Sequence, residues 1–199
     1  MLETREVQTR VAGWYPRVRT QKHLAIDGVS GPATARAVSN FQVYRNLPLT
    51  GTVTTVTERE LARLEEPDKS TIHFAWTDFK SFRDTSNIYA VGVNVWQALA
   101  NLLMLMWNLE GLRAKLGDQP IYINSGIRSV PYNAQIGGVI DSMHTYGLAA
   151  DISVRNRSPN QVAEAAAVCG FSGIFVYLGH CHVDLRARIG RPWAWDFSA

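Results

Sequence analysis

Two short clusters hold three of the chain's five histidines, and their residue types are those of metal chemistry. The first runs Ser142-Met-His144-Thr-Tyr-Gly147-Leu-Ala149-Ala-Asp151, and the second is His180-Cys-His182-Val-Asp184. On an extended strand, positions 180, 182 and 184 share one face because side chains alternate with a period of two, and Cys181 turns to the opposite layer. Two imidazoles and one carboxylate leave the fourth vertex of a tetrahedron open, which is the donor set of a hydrolytic zinc site. His144, Asp151 and His182 are therefore the candidate ligands of one zinc ion, with a water at the open vertex ionising near neutral pH. Gly147, Ala149 and Ala150 are small enough to let the backbone turn tightly between the first two. A His seven residues from an Asp, or a His-x-His on a strand, is by itself more often a hydrogen-bonded pair than a metal site. Found together behind Ser125-Gly-Ile-Arg128-Ser, the two clusters make a much stronger signal.

The elements that must position these residues divide at a polar stretch, Glu65-Glu-Pro-Asp-Lys-Ser-Thr, which reads as a short linker. Before it, short helices are predicted over Val7–Ala12, Pro32–Tyr44 and Glu58–Leu64. Pro32 suits a first helical position, where its missing N–H costs nothing. Ala33, Ala37, Val38 and Phe41 then fall on one face. Thr57 and Glu60 are spaced as a capping box. After the linker, a long helix is predicted over Val95–Leu116, with Leu99, Leu102, Leu103, Met106 and Leu109 in its apolar stripe. Further predictions are a strand over Pro120–Asn124, a helix over Pro159–Cys169 ending at Gly170, and a hairpin of Gly173–Tyr177 with Cys181–Arg186. The fold class is α+β: a small three-helix domain over residues 1–66, then over 67–199 helices packed on a small antiparallel sheet.

Composition narrows the function. The chain has 199 residues, 46% hydrophobic and 19% charged, the profile of a globular protein. The formal charge of +3 is spread evenly, with 9 bases and 7 acids in residues 1–66 and 11 and 10 in 67–199. No basic stripe marks a nucleic-acid surface, although a mildly cationic surface suits a polyanionic envelope polymer. The most apolar stretch, Val91 to Leu112, is interrupted by Asn94, Gln97, Asn101, Asn108 and Glu110, so it reads as a buried helix and not as a membrane span. The N-terminus lacks a basic n-region followed by an apolar run, so no secretory signal is expected. Cys169 and Cys181 form neither a disulfide framework nor a CxxC pair, which fits synthesis in a reducing cytosol. Nothing points beyond a monomer.

Ser125-Gly-Ile-Arg-Ser-Val-Pro-Tyr-Asn133, Gly137-Gly138, Ser142-Met-His-Thr-Tyr-Gly-Leu-Ala-Ala-Asp151 and His180-Cys-His-Val-Asp184 follow one another in an order that resembles the zinc D-alanyl-D-alanine carboxypeptidases. That superfamily shares the hedgehog-type fold and includes several phage endolysins. The resemblance spans about Ser70 to Trp195. It implies Arg128 and His180 as catalytic groups, with Asp184 either joining them or orienting His182. It further implies Ser125, Asn133, Ser142 and Tyr146 on the substrate side. Many relatives carry an acid three residues before the second zinc histidine as general base; here that position is Gly179. Asp27-Gly-Val-Ser-Gly-Pro-Ala-Thr-Ala-Arg-Ala-Val-Ser-Asn-Phe-Gln42, with Leu47-Pro-Leu-Thr-Gly51, resembles the three-helix peptidoglycan-binding domain. Asp27, Gln42, Tyr44 and Arg45 could serve its groove. The resemblances together imply a peptidoglycan hydrolase with peptidoglycan as its partner. With no signal peptide expected, the reading is an endolysin, made in the host cytoplasm and released through a holin, and its secondary version is a bacterial enzyme exported by another route. The competing reading, favoured by the glycine at 179, is a non-catalytic wall-binding or virion protein that keeps the zinc fold as scaffold.

Overall fold

The computed structural model describes residues 2–80, 84 and 92–198. Val91, where the most apolar stretch begins, lies outside them. Helix α1 spans Thr4–Val11 and starts earlier than predicted, because the Glu6 carboxylate accepts from the Glu3 backbone N–H at 2.9 Å and caps the turn. Helix α2 spans Pro32–Tyr44 as predicted, with Pro32 in its first turn. Its buried face carries Thr34 with Ala37, Val38 and Phe41, while Ala33 is exposed. Helix α3 spans Thr55–Ala62 and is capped by Thr54, whose hydroxyl accepts from Thr57 N–H. Thr57 cannot serve as the predicted cap, since its buried hydroxyl is turned inward to accept from Gln42. Trp14 and Phe41 meet edge to face at 5.1 Å in the centre of this cluster.

The predicted linker is a tight turn. Glu66 N–H donates to Ser70 C=O at 2.9 Å, Glu65 pairs with Thr71 in a β-bridge, and Arg10 Nε donates to Glu65 at 3.1 Å. Helix α4, Val95–Lys115, then feeds two cores at once. Leu102, Leu105, Met106, Leu109 and Leu112 enter the larger one, whereas Trp107 enters the cluster of α1 and α2 with Leu103 packed against it. The two halves meet where Gly111 of α4 crosses Gly13, and a Cβ on Gly111 would lie 2.3 Å from the Gly13 carbonyl oxygen. Only bare backbone fits that crossing.

Five strands follow: β1 Ile121–Ser125, β2 Ala149–Val154, β3 Gly173–Val176, β4 Cys181–Asp184 and β5 Ala194–Asp196. Their order is β1-β2-β4-β3-β5, antiparallel except for the β3–β5 pair. The predicted hairpin is β3 with β4, somewhat shorter at its ends. Helix α5, Val130–Gln135, was not anticipated, and neither were β2 and β5. Ala149 and Ala150 lie inside β2 and not in a turn. Helix α6, Pro159–Ala166, carries a Ser158–Gln161 capping box, and Gly170 adopts φ +77° just beyond it. Helices α4 and α6 cover one face of the sheet, sealing Ala150, Ile152, Cys181 and Val183 into the core. The alternate residues of β2 and β4 are thereby directed to the other face.

Candidate metal centre

Asp151 on β2 lies directly opposite His182 on β4. Residues so paired share a face, with Cβ atoms about 4.5–5.5 Å apart. His144 arrives from the 3₁₀ turn Met143–Tyr146 that leads into β2. Gly147 closes the turn at φ +70°, and a Cβ there would lie 2.7 Å from the Ala98 carbonyl oxygen, so position 147 demands glycine twice over.

Three donor atoms converge. His182 Nδ1 is 2.8 Å from Asp151 Oδ1, and His144 Nε2 is 3.2 Å from the first and 3.3 Å from the second. Ligands held at about 2.0–2.1 Å in a tetrahedron stand about 3.3 Å apart, so the triangle has the size of a zinc chelate. The opposite ring nitrogens are occupied. His144 Nδ1 donates to the Gly126 carbonyl at 2.6 Å, and His182 Nε2 donates to Asp184 Oδ2 at 3.1 Å. Tautomers assigned from these partners leave both free lone pairs aimed at Asp151 Oδ1. Such atoms repel at this separation unless a cation lies among them. The donor set fits a divalent ion, and it is the one such cluster of three among the described residues.

The surroundings suit that role. Burial holds the His144 imidazole below its ordinary pKa, which favours the neutral form a ligand needs. Burial would raise the Asp151 carboxyl, but hydrogen bonds and charge from His144 and His182 outweigh it and hold the group well below the usual carboxylate range. Arg128 Nη2 donates to Asp151 Oδ2 at 2.8 Å, and its Nε donates to Ser125 Oγ at 3.0 Å. Burial likewise opposes ionisation of Asp184, yet His182 and Arg186 keep it a carboxylate.

The triangle forms the floor of a cleft of about 660 Å³. His180 lines it, its ring stacked on Tyr177 at 4.7 Å. Ser142 lines it from the start of the 3₁₀ turn. Asp184 is wholly buried behind His182, which removes it from direct contact with substrate. Asn133 is also buried: its Nδ2 donates to the Val139 carbonyl, so it braces the loop on one cleft wall. Ser125 holds Arg128, and Tyr146 packs on the core. A Cβ at Gly179 would meet nothing within 4 Å, so the missing acid leaves open space and not a filled one. Cys181 faces the core as expected, and burial pushes its thiol up to about 12.

The structure separates the four candidate wall-contact residues of the first half. Gln42 is fully buried: its Nε2 donates to Thr50, Thr52 and Thr57, and its Oε1 accepts from the Thr50 and Gly51 N–H groups. An amide so enclosed has nothing left for a ligand. Asp27 is exposed but accepts from Gln8 and Val29, tying its own loop. Tyr44 is exposed, and Arg45 pairs with Glu60 at 3.5 Å. Sequence reasoning missed Arg186 as an individual residue. Near the C-terminus, Arg186 and Arg191 line the cleft, while Trp193 stacks on His23 in the first half. The His-x-Asp-x-Arg spacing was the available signal.

Comparison with known proteins agrees with this geometry. The family model for Peptidase M15 matches residues 78–184, and that for a peptidoglycan binding domain matches residues 3–61. The zinc D-Ala-D-Ala carboxypeptidase of Streptomyces albus G is 37% identical over 193 residues, which cover 96% of this chain and 74% of the relative.

Proposed function

Since the chain belongs to the peptidase M15 family, we propose that it is a zinc-dependent peptidase acting on peptidoglycan, with His144, Asp151 and His182 holding one zinc ion. The observation that carries this reading is the convergence of three lone-pair atoms within 3.3 Å at the floor of a cleft, each fixed from behind by the chain itself. When bound, zinc supplies a Lewis acid and a water ionised near neutral pH.

The chain's own residues do the rest. Arg128 is clamped by Asp151 and Ser125 beside the ligands, placing a fixed cation where charge develops on a peptide carbonyl oxygen. His180 lines the same cleft, and its imidazole, stacked on Tyr177, makes no hydrogen bond among the described residues, which places it to serve as the proton-transfer group. Asp184 is a positioning residue that holds the His182 ring. Residues 1–66 bind the wall and raise local substrate concentration, and residues 67–199 cut. The bonds cut are stem-peptide or cross-bridge peptide bonds involving D-amino acids. The setting we assign is lysis of a bacterial host by a phage, with the protein acting as a monomer.

Digestion of purified peptidoglycan, followed by mass spectrometry of the soluble products, tests the reading. New amino and carboxyl ends that are absent with His182→Ala support it. Binding to the wall with no new ends from the zinc-loaded protein overturns it.

A further inference from the structure

We infer that Arg186 is the anchor for the free carboxylate at the C-terminal end of the peptide being cut. The inference rests on the peptidase reading and names a feature of its substrate.

Arg186 is built like a receptor. Its Nε donates to both Asp184 oxygens at 3.0 Å, and Nη2 donates to Oδ2 at 2.6 Å. Asp184 has no exposure, so this contact is shielded from water and from competing ions. The Phe175 ring supports the guanidinium from one side, with Cζ 4.9 Å from its centroid. These partners occupy the Nε edge of the fork. Nη1 has no partner among the described residues, and with the second N–H of Nη2 it forms the end-on edge. The residue lines the cleft, with 22% of its side chain exposed. An end-on guanidinium edge is the shape that takes a carboxylate through two parallel hydrogen bonds.

Two other arginines line the same cleft, and neither is as suited. Arg128 ties the same two nitrogens, Nη2 to Asp151 and Nε to Ser125, but its carboxylate partner is itself a candidate metal ligand, so its guanidinium stands at the metal centre, where the carbonyl of the cut bond is to sit, and not at the chain end. Arg191 pairs at 3.1 Å with Asp141, and both side chains are well exposed, which leaves that pair screened by solvent. Position also favours Arg186. Its Nη2 and His182 Nε2 share Asp184 Oδ2, at 2.6 and 3.1 Å, so the guanidinium is fixed to the same buried carboxylate that holds the ligand ring from its far side, and it lines the same cleft as the three candidate ligands. Asp184 therefore serves two neighbours, holding the imidazole on one side and aiming the guanidinium on the other.

The experiment compares acylated peptides ending in -D-Ala-D-Ala as free acid and as C-terminal amide, using zinc-loaded protein. Charge-assisted hydrogen bonds of this kind are worth roughly a 30-fold preference for the acid in kcat/KM, carried mainly by KM. Arg186→Lys keeps a cation beside Asp184 but loses the planar fork; it should retain zinc and reduce the preference to below about five-fold. Calorimetric titration with N-acetyl-D-alanine and with its amide gives a readout that needs no turnover: the acid alone binds the wild type, and its affinity falls in the variant. Equal handling of acid and amide by the wild type, or an undiminished preference in Arg186→Lys, overturns the inference. If no peptide is cut, the peptidase reading falls, and the titration alone decides whether Arg186 binds the carboxylate.

Discussion

Gln42 in α2 and His182 in β4 are both largely withdrawn from water, yet their surroundings finish in opposite ways. Every hydrogen-bonding position of the Gln42 amide is filled from within the chain, by Thr50, Gly51, Thr52 and Thr57. His182 has one nitrogen held by Asp184 and points the other at His144 and Asp151, two more groups that accept. The first arrangement is complete and therefore structural. The second is complete only with a cation, and a buried polar cluster that needs an outside partner is a site. Gln8 repeats the closed pattern, joining α1 to Asp27, Gly28, Val29 and Thr34. The first half thus uses buried amides to pin loops, and the second uses buried imidazoles to await a ligand.

Substitutions at the two nodes should separate function from stability. His182→Ala is expected to remove zinc binding and lower turnover by at least about 10³-fold, while the metal-free variant melts within a few degrees of metal-free wild type. Zinc analysis beside thermal unfolding checks both halves of that statement. Gln42→Ala should do the reverse, since it strands several loop donors and acceptors at once. About 2–4 kcal/mol of unfolding free energy in urea is expected to be lost, with turnover of a small soluble peptide unchanged. A Gln42 variant of full stability that no longer bound the wall would restore that residue as a ligand contact.

Asp184→Asn sharpens the comparison from the metal side. Weakening the acceptor behind His182 should reduce zinc affinity by about 10–100-fold, read by competition with a chelator. His23 offers a smaller effect at the seam between the halves. Its partly buried ring stacks on Trp193, and burial together with Arg188 lowers its pKa from 6.5 to about 4. The unfolded chain therefore takes up this proton first, and stability falls as pH drops from about 6.5 toward 4, with no contribution above that window. Allowing for its partial exposure, the loss is about 1–2 kcal/mol. Comparing His23→Gln with wild type by thermal unfolding between pH 7 and 4 isolates it, because the variant should lose stability less steeply.

The local parts of this architecture were readable in the residue order, and the non-local parts were not. His144, Asp151 and His182 stood out because ligand chemistry depends on residue type, and the strand period put 182 and 184 on one face. Pairing of Asp151 with His182 depends on the register between two strands whose paired residues are 31 positions apart, which no local pattern states. The Gly126 carbonyl behind His144 is backbone and has no residue signature at all. Gln42 misled because an amide on a helix has the same identity whether it faces a groove or a core. Thr54 and Thr57 are both competent caps, and only the inward turn of Thr57 toward Gln42 decides between them. The apolar stripe of α4 was legible at Leu102, Met106 and Leu109, but Leu99 is half-buried outside both cores, and Trp107 on the other side, packed against the first half, was not foreseen.

Titrating zinc into metal-stripped protein while following release of peptide ends from peptidoglycan tests the central claim most directly. Activity should rise from background and saturate at one equivalent for the wild type, and stay at background throughout for His182→Ala. Full activity without added metal, or equal activity in the two proteins, would contradict a peptidase centred on His144, Asp151 and His182.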